Sequence, residues 1–162
     1  MNIAGLIVVI LCLIGYWFAW KSFKQGNYRL SVLILVVLGI TLRVFAGSDL
    51  FLHDWDERYH ALVAKNMMDD PFTPMLYKNA ILGYDIENWC GNHIWLHKQP
   101  LPLWMMSASM SLFGVNEIAL RLPSILLSGL GIYLMFEVGK MLFNRRVGFI
   151  ASFLFSIHGL II

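Results

Sequence analysis

The chain has 162 residues, of which 59% are apolar and 14% charged, and its mean hydropathy is +0.68. A soluble domain carries about 25% charged residues, so this composition excludes a water-soluble globule and makes the bilayer the natural solvent for the excess apolar surface. A net charge of +2 gives no reason to expect a nucleic-acid partner.

The first apolar run, Ile3 to Trp20, predicts a helix about 27 Å long at ~1.5 Å per residue, close to the ~30 Å hydrocarbon core. Its basic residues, Lys21, Lys24 and Arg29, follow the run instead of preceding it. With no small-residue cleavage site, the run reads as an uncleaved membrane helix and not a secretion signal. The first helix is taken as residues 1–20. Cys12 lies inside it and Cys90 in a later polar stretch, so no internal disulfide is expected and the redox compartment stays open.

A second membrane helix is predicted over residues 30–46, interrupted only by Arg43. The short basic connection Lys21–Arg29 belongs in the cytoplasm by the positive-inside rule. The second helix therefore emerges on the far side.

Ser48 to Gln99 is the polar part of the chain. It holds eight of the ten acidic residues and four of the five histidines. That is too much for a simple connector, since most connections run to about 4–6 residues. Within it Trp55, Tyr59, Leu62, Val63 and Met67 recur at helical spacing, predicting an amphipathic helix that ends at Asp69-Asp70-Pro71. Pro100 to Phe113 predicts a further helix, with prolines in its first turn and Gly114 as its stop. Its length suits an interfacial or re-entrant helix better than a full span. Residues 47–115 are thus read as an extracytoplasmic loop with juxtamembrane helices.

Asn116 is placed to cap a third membrane helix, residues 117–143, with Glu117 in its first turn. Its small residues Ser128, Gly129 and Gly131 let neighbours approach closely in lipid. Asn144-Arg145-Arg146 forms a second basic turn, again cytoplasmic. Residues 147–162 read as the start of a fourth span, cut short, so that the chain is expected to be the N-terminal part of a longer protein. The expected fold class is all-α: polytopic membrane helices with an extracytoplasmic loop containing juxtamembrane amphipathic helices.

Three features are candidates for chemistry. The sharpest is His53-Asp54-Trp55-Asp56-Glu57-Arg58-Tyr59-His60. Asp56 and His60 stand one turn apart on one helix face. Crowded carboxylates near a membrane surface are expected to have raised pKa values, which suits a general base. The plainer reading is an acidic helix start complementing the helix dipole. The second feature is His97-Lys98-Gln99-Pro100-Leu101. Its lysine can hold a lipid-anchored phosphate as a point charge, or simply snorkel beside Trp104. The third is Arg43, because an ionisable residue in a membrane helix is costly and a functional candidate by default. Snorkelling is again the plain alternative. His53, His60, His93 and His97 with Asp54 and Asp56 leave a divalent metal open, but no spacing among them is diagnostic.

Taken in order, these segments resemble the start of a C-type glycosyltransferase of the protein O-mannosyltransferase and lipid A aminoarabinose transferase type. The segments that carry the resemblance are Asp56-Glu57 after an early membrane helix, His97-Lys98-Gln99-Pro100-Leu101, Phe113-Gly114-Val115-Asn116-Glu117, Arg121-Leu122-Pro123-Ser124 and Leu142-Phe143-Asn144-Arg145-Arg146. Gln99 departs from the pattern by replacing a proline. The likeness covers about residues 30–162, and the helix before them is an addition to it. It implies inverting transfer of a hexose or pentose from a polyprenyl-phosphate donor to a hydroxyl on an acceptor protein, lipid or glycan, outside the cytoplasm. It also implies an integral protein of a bacterial inner (plasma) membrane. Asp56 would be the catalytic base and Glu57 its support. Lys98, with Arg43, would bind the donor phosphate, while His60 and His97 are candidates for acceptor or metal contact. The fragment alone is expected to be inactive. Two other classes stand beside this reading. One is a small non-catalytic membrane protein with a binding or assembly loop. The other is a scramblase or transporter, which the nearly uncharged spans disfavour.

Overall fold

The computed structural model describes residues 3–48, 51–54, 56–81, 83–87 and 92–158. Trp55 and Cys90 lie outside them, as do residues 159–162 of the expected fourth span. Six helices follow in order: α1 Ile3–Lys24, α2 Tyr28–Ala46, α3 Asp56–Asn66, α4 Pro100–Phe113, α5 Glu117–Leu142 and α6 Arg145–Ile157. Among the described residues there is no strand, only an isolated antiparallel bridge between Met75 and Ile94. The all-α expectation holds. Helices α1, α2 and α5 are each long and apolar enough to cross a membrane, so this is an integral membrane protein. The chain divides into two compact units, Met1–Ser48 with Ser124–Ile162, and Asp49–Pro123.

The first unit is the membrane unit. Outward-facing leucines such as Leu11, 61% exposed, and Leu13, 63% exposed, have lipid as their natural surroundings. Helix α1 turns into α2 through Gly26, whose φ of 81° lies where glycine carries no Cβ penalty. Ala19, Phe23, Val32, Leu35, Ile132, Phe136 and Phe149 form the core. Hydroxyls bridge the helices. Ser31 Oγ donates to the Ala19 carbonyl at 2.8 Å, and Ser152 Oγ to that of Ile132 at 2.8 Å. In lipid, bonds of this kind help to drive helix association, because apolar burial no longer does. The small-residue patch does what its composition predicts. A Cβ at Gly129 would come within 2.8 Å of the Ile40 side chain, and one at Gly131 within 2.9 Å of Phe155. Backbones approach more tightly at Gly148, where a Cβ would stand 2.5 Å from the Phe136 carbonyl oxygen.

Arg43 belongs to this unit and is 2% exposed. Its Nη1 donates to the carbonyls of Gly39 at 3.0 Å and Ser156 at 3.1 Å, and its Nη2 to that of Phe155 at 3.1 Å. The last carbonyls of a helix have no partner within it. Arg43 supplies one for the end of α6 and ties that helix to α2. At the other end of α6, Asn144 Oδ1 accepts from the backbone N–H of Arg146 and Val147, both at 3.0 Å. This cap starts the helix at Arg145, two residues ahead of the sequence-based boundary.

The second unit carries α3, α4 and the first turns of α5. Helix α3 closes at Asn66, with turns carrying the chain on to Pro71. Its buried face includes Val63, Ala64 and Asn66, and burial continues at Met67 in the turn just past its end, whereas Leu62 is 42% exposed and falls off that face. Helix α4 spans the expected residues and stops at Gly114, φ 86°. Asn116 Oδ1 accepts from the Ala119 N–H at 2.8 Å, the expected cap on α5. Pro123 sits inside α5 and has no N–H for the carbonyl four residues back. That carbonyl, of Ala119, accepts instead from Ser109 Oγ of α4 at 2.6 Å. The proline is thus accommodated because α4 brings a hydroxyl to the freed group.

Candidate active site

The site residues of the second unit rest on a small aromatic core. Trp95, 1% exposed, packs with Val63, Met67, Leu76 and Leu103, with Tyr59 against them. The Tyr59 ring stacks on Trp95 with centroids 6.2 Å apart, and the His60 and His97 rings meet Trp95 edgewise at 5.5 and 5.6 Å. Backbone bonds hold Trp95 in place. Its N–H donates to the Pro74 carbonyl, and the Leu76 N–H to that of His93, both at 2.8 Å. Asn66 Nδ2 adds bonds to the carbonyls of Met75 at 2.8 Å and Leu76 at 3.0 Å. The chain that leaves this core after Trp95 therefore reaches Lys98 in a defined path along α3. Gln99 continues it with φ −61° and ψ 146°. These are polyproline-like angles, so glutamine here adopts the backbone that proline would impose.

The two neighbouring carboxylates of α3 have different surroundings. Glu57 is locked. Arg121 grips it with two bonds, Nε to Oε1 at 2.6 Å and Nη2 to Oε2 at 3.1 Å. The guanidinium also donates to the Phe51 carbonyl at 2.6 Å. From the other side the His53 N–H reaches Glu57 Oε2 at 2.6 Å and the His53 ring at 2.8 Å. The Glu57 and Arg121 side chains are only 20% and 10% exposed. Burial pushes the Glu57 carboxyl up, but the Arg121 and His53 bonds and the Arg121 charge outweigh it and hold the pKa at about 2. This corrects the expectation of raised values for crowded carboxylates. For Glu57 the crowding cation and N–H groups win over burial.

Asp56, by contrast, has a side chain 65% exposed, and its Oδ2 stands 3.5 Å from Lys98 Nζ. At that distance the pair is a loose one. His60 lies half-buried nearby. Burial lowers its pKa, and Lys98 and His97 act in the same direction, against the opposing pull of Asp56 and Glu57. The ring is therefore neutral near neutral pH, a form able to accept as well as donate a hydrogen bond. Asp54 is taken by Arg58 at 2.5 Å. Among the described residues no three His, Cys, Asp or Glu side chains gather as a metal ion would need.

The structure thus brings Asp56, Glu57, His60, His97 and Lys98 into one neighbourhood, while Arg43 belongs to the membrane unit. The partner missed by reasoning from sequence is Arg121. A signal for it existed: a lone arginine early in a long apolar helix is costly, the same argument that singled out Arg43.

Residues 97–162 match the model of the dolichyl-phosphate-mannose-protein mannosyltransferase family. The matched stretch includes Lys98 and Arg121 and begins after Asp56 and Glu57. No curated protein and no solved structure matches the chain. The family match points to a membrane glycosyltransferase in the general sense.

Proposed function

Starting from the likeness of residues 97–162 to that mannosyltransferase family, we propose that the protein moves a sugar from a polyprenyl-phosphate carrier to an acceptor hydroxyl on the extracytoplasmic face. The observation that carries this reading is the division of labour between adjacent carboxylates. Glu57 is fixed and strongly acidic, whereas Asp56 is exposed and stands beside Lys98. A base and a cation for phosphate then lie side by side. Asp56 takes the acceptor's proton as its oxygen bonds to the anomeric carbon. The bond from that carbon to the phosphate oxygen breaks, and the carrier phosphate leaves with the electron pair. Lys98 neutralises the charge that develops there, and such fixed charge lowers the barrier most when it is already in position. Glu57 positions the start of α3 through Arg121 and His53. The three carbonyls bonded by Arg43 favour a helix-tying part for that residue, leaving the phosphate to Lys98. His60 and His97 flank the acceptor side.

Lys98→Ala tests the donor half. One charge-assisted contact is worth about 1.5–3 kcal/mol. In the full-length enzyme kcat/KM for a synthetic polyprenyl-phosphate sugar should therefore fall about 10- to 150-fold. Unchanged donor kinetics would remove Lys98 from the site.

The face is the second part of the proposal. The connections Lys21–Arg29 and 144–146 are basic and are assigned to the cytoplasm, with the second unit outside. A cysteine placed at Lys24 should resist a membrane-impermeant thiol reagent in intact cells. Its ready labelling would reverse the orientation.

A further inference from the structure

The first unit contains one acidic residue, Glu137, and six of its basic residues gather at one end: Lys21, Lys24, Arg29, Lys140, Arg145 and Arg146. They come from the end of α1, the start of α2, the end of α5 and the start of α6. Two hollows open there. The smaller, about 760 Å³, is lined by Trp20, Phe23 and Tyr28 on its aromatic side and by Lys24, Arg145 and Arg146 on its basic side. The larger, about 980 Å³, is a groove between α2 and α5 walled by residues such as Val32, Leu33, Val36, Ile40, Leu126 and Leu130. Arg145 and Tyr28 line both, with the guanidinium 4.6 Å above the Tyr28 ring.

We propose that this end of the membrane unit binds an anionic glycerophospholipid, with its phosphate among Lys24, Arg145 and Arg146 and an acyl chain in the α2–α5 groove. Charge complementarity selects the occupant. Glu137 is already paired with Lys140, whereas Arg29, Arg145 and Arg146 have no carboxylate partner among the described residues. A phosphodiester supplies the missing negative charge, and basic pockets between membrane helices are suited to such headgroups. The aromatic rings match the headgroup level, where Trp and Tyr concentrate. Lys24 lies 5.2 Å from the Trp20 ring centroid and Lys21 5.4 Å from that of Trp17, so the cations stand at the same level as the rings. The groove then continues from the basic mouth, past the Glu137–Lys140 pair and Tyr133 on its wall, into mainly apolar side chains, as a two-part ligand requires. The orienting effect of basic flanks needs neither this groove nor the convergence of three chain segments on one hollow.

The test uses the full-length protein, delipidated in mild detergent and offered phosphatidylglycerol or phosphatidylcholine with identical acyl chains. Lipid retained is counted by native mass spectrometry. Phosphatidylglycerol should be retained about tenfold more strongly. Arg145→Gln with Arg146→Gln should bring it down to the phosphatidylcholine level. If that pair fails to fold, Lys24→Gln with Arg29→Gln removes charge from the facing helices and should do the same. Val36→Trp, which fills the groove and keeps every charge, should lower retention of both lipids. Equal retention of the two lipids by the wild type, or wild-type preference in the folded glutamine variants, would overturn the proposal. So would disulfide cross-linking of a cysteine at Val36 to a second copy of the chain, since a protein would then occupy the groove.

Discussion

Asp56→Asn is expected to slow sugar transfer by about 10²- to 10⁴-fold, the usual cost of losing a general base. The amide keeps the size and hydrogen-bonding capacity of the side chain but cannot take the acceptor's proton. The defect should appear in kcat with little change in donor binding. Folding should survive, because the residue is 65% exposed and its pairing with Lys98 is long, at 3.5 Å. An exposed pair of this kind contributes about 0–1 kcal/mol. The measurement is transfer from a synthetic polyprenyl-phosphate sugar by the full-length enzyme, with donor binding followed in parallel. A wild-type turnover rate in the asparagine variant would reduce Asp56 to a helix-start residue.

The second large effect concerns stability. Arg121→Met keeps the apolar stem but removes the cation that grips Glu57. Breaking a mostly buried pair leaves a carboxylate without its partner, at a cost of about 2–4 kcal/mol, between the exposed and fully buried cases. The same pair sets a pH dependence. The folded pKa of Glu57 is about 2, below its ordinary 4.5. A carboxyl depressed in the folded state contributes stability that is fully present above the unfolded value. That contribution is lost as the pH falls from about 4.5 toward about 2. It amounts to about 1–3 kcal/mol once screening by nearby water is allowed for. Unfolding by a denaturing detergent, followed between about pH 3 and about pH 7, should show the wild type weakening at the acid end. Arg121→Met should start lower and weaken less. A variant as stable as the wild type across that range would mean that the Glu57–Arg121 pair does not hold the site together.

The helices were legible because their signals are local. Asn116, Gly114 and the prolines of α4 each act within a turn or so of their own position, and the apolar runs declare their length directly. The equally local cap at Asn144 reads from sequence only as part of a basic turn, which sets the expected start of α6 two residues late. The two ranks of carboxylate were not legible. Asp56 and Glu57 are adjacent, and what separates them is a guanidinium 64 positions away. Local spacing carries no trace of such a partner. Trp95 escaped notice for a related reason. It is buried in a segment without helical or strand periodicity, so its place in the core depends on α3 and on the short bridge between Met75 and Ile94. The misplacement of Leu62 is milder, since the helix was found and only the edge of its buried face was drawn too wide.

The distance from Glu57 to Arg121 also sets a timetable. A ribosome adding about 5–20 residues per second makes Arg121 roughly 3–13 s after Glu57. Throughout that interval the carboxylate has His53 but not the guanidinium that completes its hold, and α3 gains Trp95 and Leu103 only in the second half of it. The loop must therefore wait, incompletely tied, for the opening turns of α5. Quality-control proteases working at the membrane would meet this segment in its most vulnerable form before those turns are synthesised.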